Sequence, residues 1–286
     1  MNTSEPVVPA HVGVLGGGRM GGGIAHAFLT KGASVVVVER DEPSASAARE
    51  RIQKDIRASL ERGKIEGTFE DWDAKLAVTT SYQNFGPCEL VVEAVPEIWD
   101  LKVESLQAVE KELSETAWLA TNTSSLSVDG LAEQLQRPDR FVGLHFFNPV
   151  PASKLVEVVI SKHTGEELRG LSVAWVKALG KTPVVVNDAP GFASSRLGVA
   201  IALEAIRMVE EGVASPADID AAMVLGYKFP VGPLELTDIV GLDVRLGIAE
   251  YLESTLGERF APPQLMRDMV ARGELGRKSG KGFYSY

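Results

Sequence analysis

Val12-Gly13-Val14-Leu15-Gly16-Gly17-Gly18-Arg19-Met20-Gly21 decides the fold of this chain. Four residues suited to a short buried strand run into a GxGxxG turn, and a helical pattern continues from Met20 to about Lys31. The motif glycines have separate tasks: Gly16 permits the tight turn, Gly18 lets the backbone approach a pyrophosphate, and Gly21 lets the helix close onto the strand. Arg19 and Met20 occupy the places between the second and third of them, so they join the glycines as cofactor-contacting candidates. The first N–H groups of a helix have no internal partner, and its dipole favours negative charge there, so a phosphate has a ready seat.

A second strand, Ser34-Val35-Val36-Val37-Val38, ends in Glu39, eighteen residues past Gly21. A carboxylate at that place suits both hydroxyls of an adenosine ribose and repels a 2′-phosphate, which favours NAD over NADP. Arg40 is the residue that speaks for the alternative, since a guanidinium there can pair with a 2′-phosphate or stack on adenine.

Strand and helix patterns alternate over the first two-thirds. Further strands are expected at Ala77–Thr80, Leu90–Ala94, Trp118–Thr121, Phe141–Leu144, Leu155–Ile160 and Pro183–Val186, with helices at about Asp100–Leu113 and Glu166–Leu179. This is an α/β pattern, a Rossmann-type, mainly parallel, doubly wound sheet covered on both faces. Ligands of such sheets bind beyond the carboxyl ends of the strands, where the Glu97, Ser124 and His145 segments fall.

After Asn187-Asp188-Ala189-Pro190-Gly191 the pattern turns wholly helical. Residues 1–188 are therefore expected to form the NAD-binding domain and residues 189–286 an all-helical second domain. Leu197 to Val209 is apolar nearly all round, as in a helix buried between others. Ser215-Pro216-Ala217-Asp218 opens another helix with a serine cap and a proline in the first turn. So apolar a helix in a small domain calls for a partner on one face, and a homodimer through the C-terminal domain is expected.

The chain has 286 residues, 45% of them apolar and 24% charged, with a net charge of −10 that argues against nucleic acid as a partner. No apolar run is long enough to span a bilayer, and Met1 to Ala10 lacks the charged start and apolar stretch of a signal peptide. No membrane association is expected, and a cytoplasmic location is. The single cysteine, Cys88, excludes an intrachain disulfide, and with four scattered histidines no metal site is expected. One segment runs against the acidic balance: Arg49 to Lys64 carries six basic residues against three acidic ones. Ala48, Ile52, Ile56 and Leu60 give it only a narrow apolar stripe, so a mostly polar helix is expected to project beside the cofactor site, where it could hold a phosphorylated substrate handle.

The chemistry concentrates in Thr121-Asn122-Thr123-Ser124-Ser125-Leu126, His145-Phe146-Phe147-Asn148-Pro149 and Glu157. An imidazole titrates near neutrality and can take a proton from an alcohol and return it. An unpaired carboxylate inside the apolar strand Leu155–Ile160 would be costly, so Glu157 needs a partner, and His145 is the obvious one.

These segments resemble the 3-hydroxyacyl-CoA dehydrogenase family, particularly its short monofunctional 3-hydroxybutyryl-CoA type. The likeness runs from Gly16–Gly21 through Val92-Glu93-Ala94-Val95-Pro96-Glu97 and the three segments above to Pro190-Gly191-Phe192, Gly232–Asp238, Gly241-Leu242-Asp243 and Gly276–Tyr284. The resemblance implies an NAD-dependent oxidoreductase interconverting an (S)-3-hydroxyacyl-CoA and its 3-ketoacyl-CoA, with His145 as general base and Glu157 holding its other ring nitrogen. It implies that Ser124 and Asn148 orient the substrate oxygen, the cofactor and the histidine, and that Glu97, Lys102 and Lys278 touch the nicotinamide end of NAD. The coenzyme A moiety would lie along the basic helix, near Arg62 and Lys64. Ser195 stands where many members have a substrate-contacting asparagine, and a hydroxyl cannot present separate amide donor and acceptor groups. Two other readings stay open: a dehydrogenase of a free hydroxy acid, of hydroxyisobutyrate or gulonate type, and a non-catalytic, crystallin-like NAD-binding protein.

Overall fold

The computed structural model describes residues 7–286. Of the N-terminal stretch read above for a leader, residues 1–6 lie outside the described residues. The chain divides into two units, one ending at Asp188 and one from Ala189 to Tyr286.

The first unit alternates strand and helix as β1 (His11–Leu15), α1 (Arg19–Leu29), β2 (Ser34–Val38), α2 (Glu42–Glu61), α3 (Phe69–Asp73), β3 (Leu76–Thr79), β4 (Leu90–Glu93), α4 (Trp99–Glu112), β5 (Trp118–Thr121), α5 (Val128–Ala132), β6 (Phe141–Phe146), β7 (Leu155–Ile160), α6 (Glu166–Ala178) and β8 (Thr182–Asn187). They build one eight-stranded sheet in the order β3-β2-β1-β4-β5-β6-β7-β8. Neighbours are parallel from β3 to β6, β7 runs antiparallel to β6, and β8 parallels β7. The order reverses between β1 and β4, the switch point at which such sheets open a crevice.

Local chemistry accounts for the elements. Asp41 caps α2 by accepting from Ser44 N at 2.7 Å, with Pro43 in the first turn. Gly16 adopts φ +87°, a conformation other residues rarely take, and a Cβ on Gly21 would lie 1.7 Å from Gly16 O, so α1 can meet the β1 turn only without a side chain there. Val12, Val14, Ile24, Phe28, Val35, Val37, Leu90 and Val92 fill the core between sheet and helices.

One expectation is corrected. β6 does not stop at Leu144 but continues through Phe146, so His145 is a strand residue. α2 buries a narrow face that includes three of the four expected stripe residues: Ala45, Ala48, Ile52, Ile56 and Ser59 are buried. Several of its cations are also tied down. Arg49 pairs with Asp73 at 3.3 Å, Arg51 donates to Gly17 O at 2.7 Å, and Arg57 lies over the Phe69 ring. A stripe of small and branched side chains buries a helix face despite a high surface charge, because the charged stems emerge from its flanks.

The second unit consists of α7 (Ser194–Glu210), α8 (Pro216–Ala221), α9 (Pro233–Val240), α10 (Leu242–Leu256) and α11 (Gln264–Ala271), around a core that includes Val199, Leu203, Ile206, Leu234, Leu252 and Met266. Ser215 caps α8 as expected, accepting from Asp218 N. α7 is not buried all round: Val199, Ala202, Leu203, Ala205 and Ile206 form one inward face, and Leu197 is 63% exposed. Two buried carboxylates organise the rest. Asp220 accepts from Leu234 N and Glu235 N at the start of α9, and Asp238 accepts from Phe283 N and Tyr284 N of the terminal segment.

Candidate active site

Parallel β1, β2, β4, β5 and β6 deliver their carboxyl ends to one edge of the sheet, and each end carries an expected site residue. At the end of β1 the glycine turn opens α1, whose N-cap Gly18 brings no capping side chain. A Cβ on Gly18 would meet nothing within 4 Å. The helix start is thus uncovered and its surroundings open, which fits a pyrophosphate bound by backbone N–H groups. At the end of β2, Glu39 Oε1 accepts from Gly17 N at 2.6 Å, which holds the carboxylate against the turn, in the place a ribose diol requires. These residues fit NAD. Arg19 is exposed, whereas Met20 packs partly against the core. Arg40 turns to Asp41 at 3.0 Å.

The ends of β4 and β5 share a network of charges that the sequence reading only half anticipated. Glu93, wholly buried, accepts from Lys102 Nζ and Val95 N at 2.7 Å and from Thr121 Oγ1 at 2.6 Å. Glu97 Oε1 accepts from Thr123 Oγ1 at 2.5 Å, Ser124 N at 2.9 Å and Ser125 N at 3.0 Å. Burial would raise its pKa, but the nearby Lys102 ammonium and these hydrogen bonds outweigh it and hold the carboxyl below its ordinary range. Glu97 therefore ties down the turn that presents Ser124, whose half-exposed hydroxyl has no bond among the described residues.

Lys102, expected at the nicotinamide end of NAD, is 1% exposed and directs its ammonium to Glu93, to Val95 O at 3.2 Å and to Glu97 Oε2 at 3.3 Å. It ties together the two carboxylates at the end of β4. Glu93 had the same signature as Glu157, a carboxylate inside an apolar strand, and the same argument would have found its partner.

His145 and Glu157 are register partners across the antiparallel β6–β7 pair. Both are buried, and Nδ1 lies 2.8 Å from Oε2. The Phe147 ring lies against the imidazole at 4.4 Å between centroids. Asn122 Oδ1 accepts from Phe146 N at 2.9 Å, tying the residue beside the histidine to the end of β5. Asn148 is exposed just past β6. The connection to β7 is held by Lys181, whose Nζ donates to Val150 O and Ser153 O at 2.6 Å. Lys181 had no signal in the sequence and Asn122 only its place in the Thr121–Leu126 segment, since both act on backbone groups that only the fold brings within reach.

Arg62 and Lys64 are exposed just past α2. Lys64 joins Lys31, Lys181, His26 and Ser59 in lining a cavity of about 140 Å³. His26 Nε2 and Ser59 Oγ are 2.9 Å apart there, and burial lowers the histidine pKa. The two remaining expected residues belong to the second unit: Ser195 is half-buried in the first turn of α7, and Lys278 pairs with Asp243 at 2.6 Å.

Comparison with known proteins bears on the whole chain. The 3-hydroxyacyl-CoA dehydrogenase NAD binding domain matches residues 11–189, and the C-terminal domain of the same enzymes matches residues 191–286. A probable 3-hydroxybutyryl-CoA dehydrogenase of Deinococcus radiodurans is 41% identical over 275 residues, covering 96% of this chain and 99% of that one. The human mitochondrial hydroxyacyl-coenzyme A dehydrogenase is 38% identical over 293 residues, 99% of this chain and 93% of its own. The crystal structure of (S)-3-hydroxybutyryl-CoA dehydrogenase from Ralstonia eutropha superposes with a TM-score of 0.92 at 37% identity, covering 97% of this chain and 99% of that one. With two consecutive domain matches and a buried histidine–glutamate pair at the mouth of a dinucleotide fold, the chain belongs to the 3-hydroxyacyl-CoA dehydrogenase family and is an NAD-dependent oxidoreductase of 3-hydroxyacyl-CoA substrates.

Proposed function

We propose that the enzyme interconverts short-chain (S)-3-hydroxyacyl-CoA, with a four-carbon acyl group as its reference substrate, and the 3-ketoacyl-CoA, using His145 as the acid–base group. The observation that carries this reading is the His145 Nδ1–Glu157 Oε2 contact of 2.8 Å between two buried side chains. Bound NAD supplies the acceptor for the hydride that leaves C3. An Nδ1–H donating to Glu157 assigns the basic lone pair to Nε2, which takes the 3-hydroxyl proton during oxidation and returns it during reduction. Glu157 holds that tautomer and stabilises the imidazolium as it forms. Ser124 and Asn148 hydrogen-bond the substrate oxygen, and in a site shielded from water each such dipole is worth roughly 3 kcal/mol in the transition state. Glu39 reads the ribose hydroxyls, while Lys278 serves the cofactor from the terminal segment. Arg62 and Lys64 receive coenzyme A, and Ser195 meets the acyl group. The four-carbon preference is supported by the names of the Deinococcus and Ralstonia relatives.

The reading extends to a homodimer through the helical domain, supported by the apolar residues that domain leaves exposed, among them Leu197, Leu225, Tyr227 and Val244. A cytoplasmic location belongs to it as well. The decisive assay follows absorbance at 340 nm with acetoacetyl-CoA or free acetoacetate, and NADH or NADPH in turn. Turnover of acetoacetyl-CoA with NADH is expected; equal turnover of free acetoacetate would favour a free hydroxy acid dehydrogenase instead. Sedimentation as a monomer at micromolar concentration would remove the dimer.

A further inference from the structure

Lys181 sits where α6 gives way to β8, and its backbone has little freedom there. Gly180 takes φ +74° and donates to Lys177 O at 2.9 Å, while Lys181 N donates to Val176 O at 3.1 Å, the two hydrogen bonds of a Schellman motif. The next residue, Thr182, donates from N to Lys154 O at 2.6 Å and stands opposite Leu155 in the β7–β8 register. From this fixed base the side chain turns back to residues 147–154, the connection between β6 and β7, where Nζ donates to Val150 O and Ser153 O at 2.6 Å. Burial lowers the pKa of this ammonium, and no neighbouring acid raises it. A half-buried cation without a counter-charge needs strong acceptors, and the two loop carbonyls supply them through charge-assisted hydrogen bonds.

The connection held in this way carries groups on which the chemistry depends. His145 lies two residues before it and Glu157 three after it. Phe147, its first residue, rests against the imidazole at 4.4 Å between centroids, and Asn148 follows. Val150 is 2% exposed and packs on α1, where a Cβ on Gly23 would lie 2.9 Å from Val150 Cβ. Pro149 O accepts from Ala152 N and Ser153 N at 3.0 Å, a turn that leaves Val150 O and Ser153 O to a single ammonium. The helix thus holds the middle of the connection by a side chain, and Lys181 holds it by two backbone oxygens.

We infer that Lys181 is a positioning residue for His145: its ammonium fixes the β6–β7 connection and so sets Phe147, Asn148 and the imidazole in place, without touching the substrate. This rests on the reading of His145 as the acid–base group. A misplacement of about 1 Å can slow a reaction about 10²-fold even when the altered residue lies away from the reacting atoms. Lys181→Met keeps the length of the side chain and removes both hydrogen bonds, so its effect belongs in kcat and not in binding.

The test is steady-state kinetics with acetoacetyl-CoA and NADH on Lys181→Met, Lys181→Gln and Lys181→Arg, with NADH affinity from fluorescence titration and the folded fraction from circular dichroism. The methionine variant is expected to lose about tenfold to 10²-fold in kcat per folded enzyme, with KM for acetoacetyl-CoA and Kd for NADH within about twofold of the parent. The arginine variant, which keeps charge and donors, should recover most of that loss, and the glutamine variant, with a neutral donor, should fall between. Parent-like kcat in the folded methionine variant makes the lysine structural only and overturns the inference. So does a raised KM with kcat intact, which would make it a coenzyme A contact, and so does an arginine variant no faster than the methionine one. Should the methionine variant not fold, the other two decide: glutamine at the parent's kcat overturns the inference. Failure of the underlying reading looks different, because His145→Ala would then itself turn over at close to the parent rate.

Discussion

His145 and Glu157 occupy directly opposed positions on β6 and β7, and their side chains meet at 2.8 Å because the two strands run in opposite directions. Residues 147–154 join the strands and Lys181 clamps that connection, so the acid–base group and its orienting carboxylate belong to one antiparallel unit. A base and its helper on rigid strands are held to within the tolerance that proton transfer demands.

Removing the imidazole should separate catalysis from folding. For His145→Ala, kcat is expected to fall by about 10³-fold or more while the protein still folds and binds NADH, with a lower melting temperature because the buried Glu157 carboxylate loses its imidazole contact. Glu157→Gln should lower kcat by roughly 10²–10⁴-fold with little change in KM, because the tautomer is lost and not the binding surface. Near-normal turnover in the alanine variant, measured at saturating acetoacetyl-CoA, would remove His145 from the chemistry.

Two glycines of one motif should fail differently. Gly18→Ala places a methyl in open space, so the fold should survive and NADH affinity should drop, read by fluorescence titration. Gly21→Ala drives a methyl to 1.7 Å from Gly16 O, so loss of folded protein is expected. The reverse pattern would contradict the division of labour between them.

Lys102 should matter more for stability than an exposed lysine does. Lys102→Met leaves the fully buried Glu93 carboxylate without its cation, a change that costs about 3–5 kcal/mol. The control Lys278→Met removes a half-exposed pair with Asp243, worth about 1 kcal/mol or less. Denaturant unfolding of the two variants should show that difference; equal midpoints would contradict the anchoring role of Lys102.

Glu97 should give the enzyme an acid-sensitive turn. Its folded pKa lies below its ordinary value, so its contribution to stability is complete above the unfolded pKa of about 4.3 and is lost as pH falls through the lower folded value. Glu97→Gln should therefore be less stable than the parent at pH 7, by about 1 kcal/mol or less because solvent screens a side chain 36% exposed, with the gap closing below about pH 4. Melting curves across that range would expose a constant gap, the result that contradicts this assignment.

Much of this protein is written locally. The β1–α1 glycine turn, Glu39 at the end of β2, the Ser215 cap and the change from alternating to helical pattern each depend on neighbours close in the chain, and the sequence alone determined them. Glu157 was legible for a thermodynamic reason: a carboxylate in an apolar strand must find a partner. Tertiary structure decided the rest. The antiparallel turn of β7 chose His145 as that partner through strand register. Burial set Lys102 between Glu93 and Glu97, and packing left Arg245 Nε without a hydrogen-bond partner among the described residues. Periodicity records which side of an element is apolar, but which charged groups meet across elements depends on register and packing, and those are set by contacts between residues far apart in the chain.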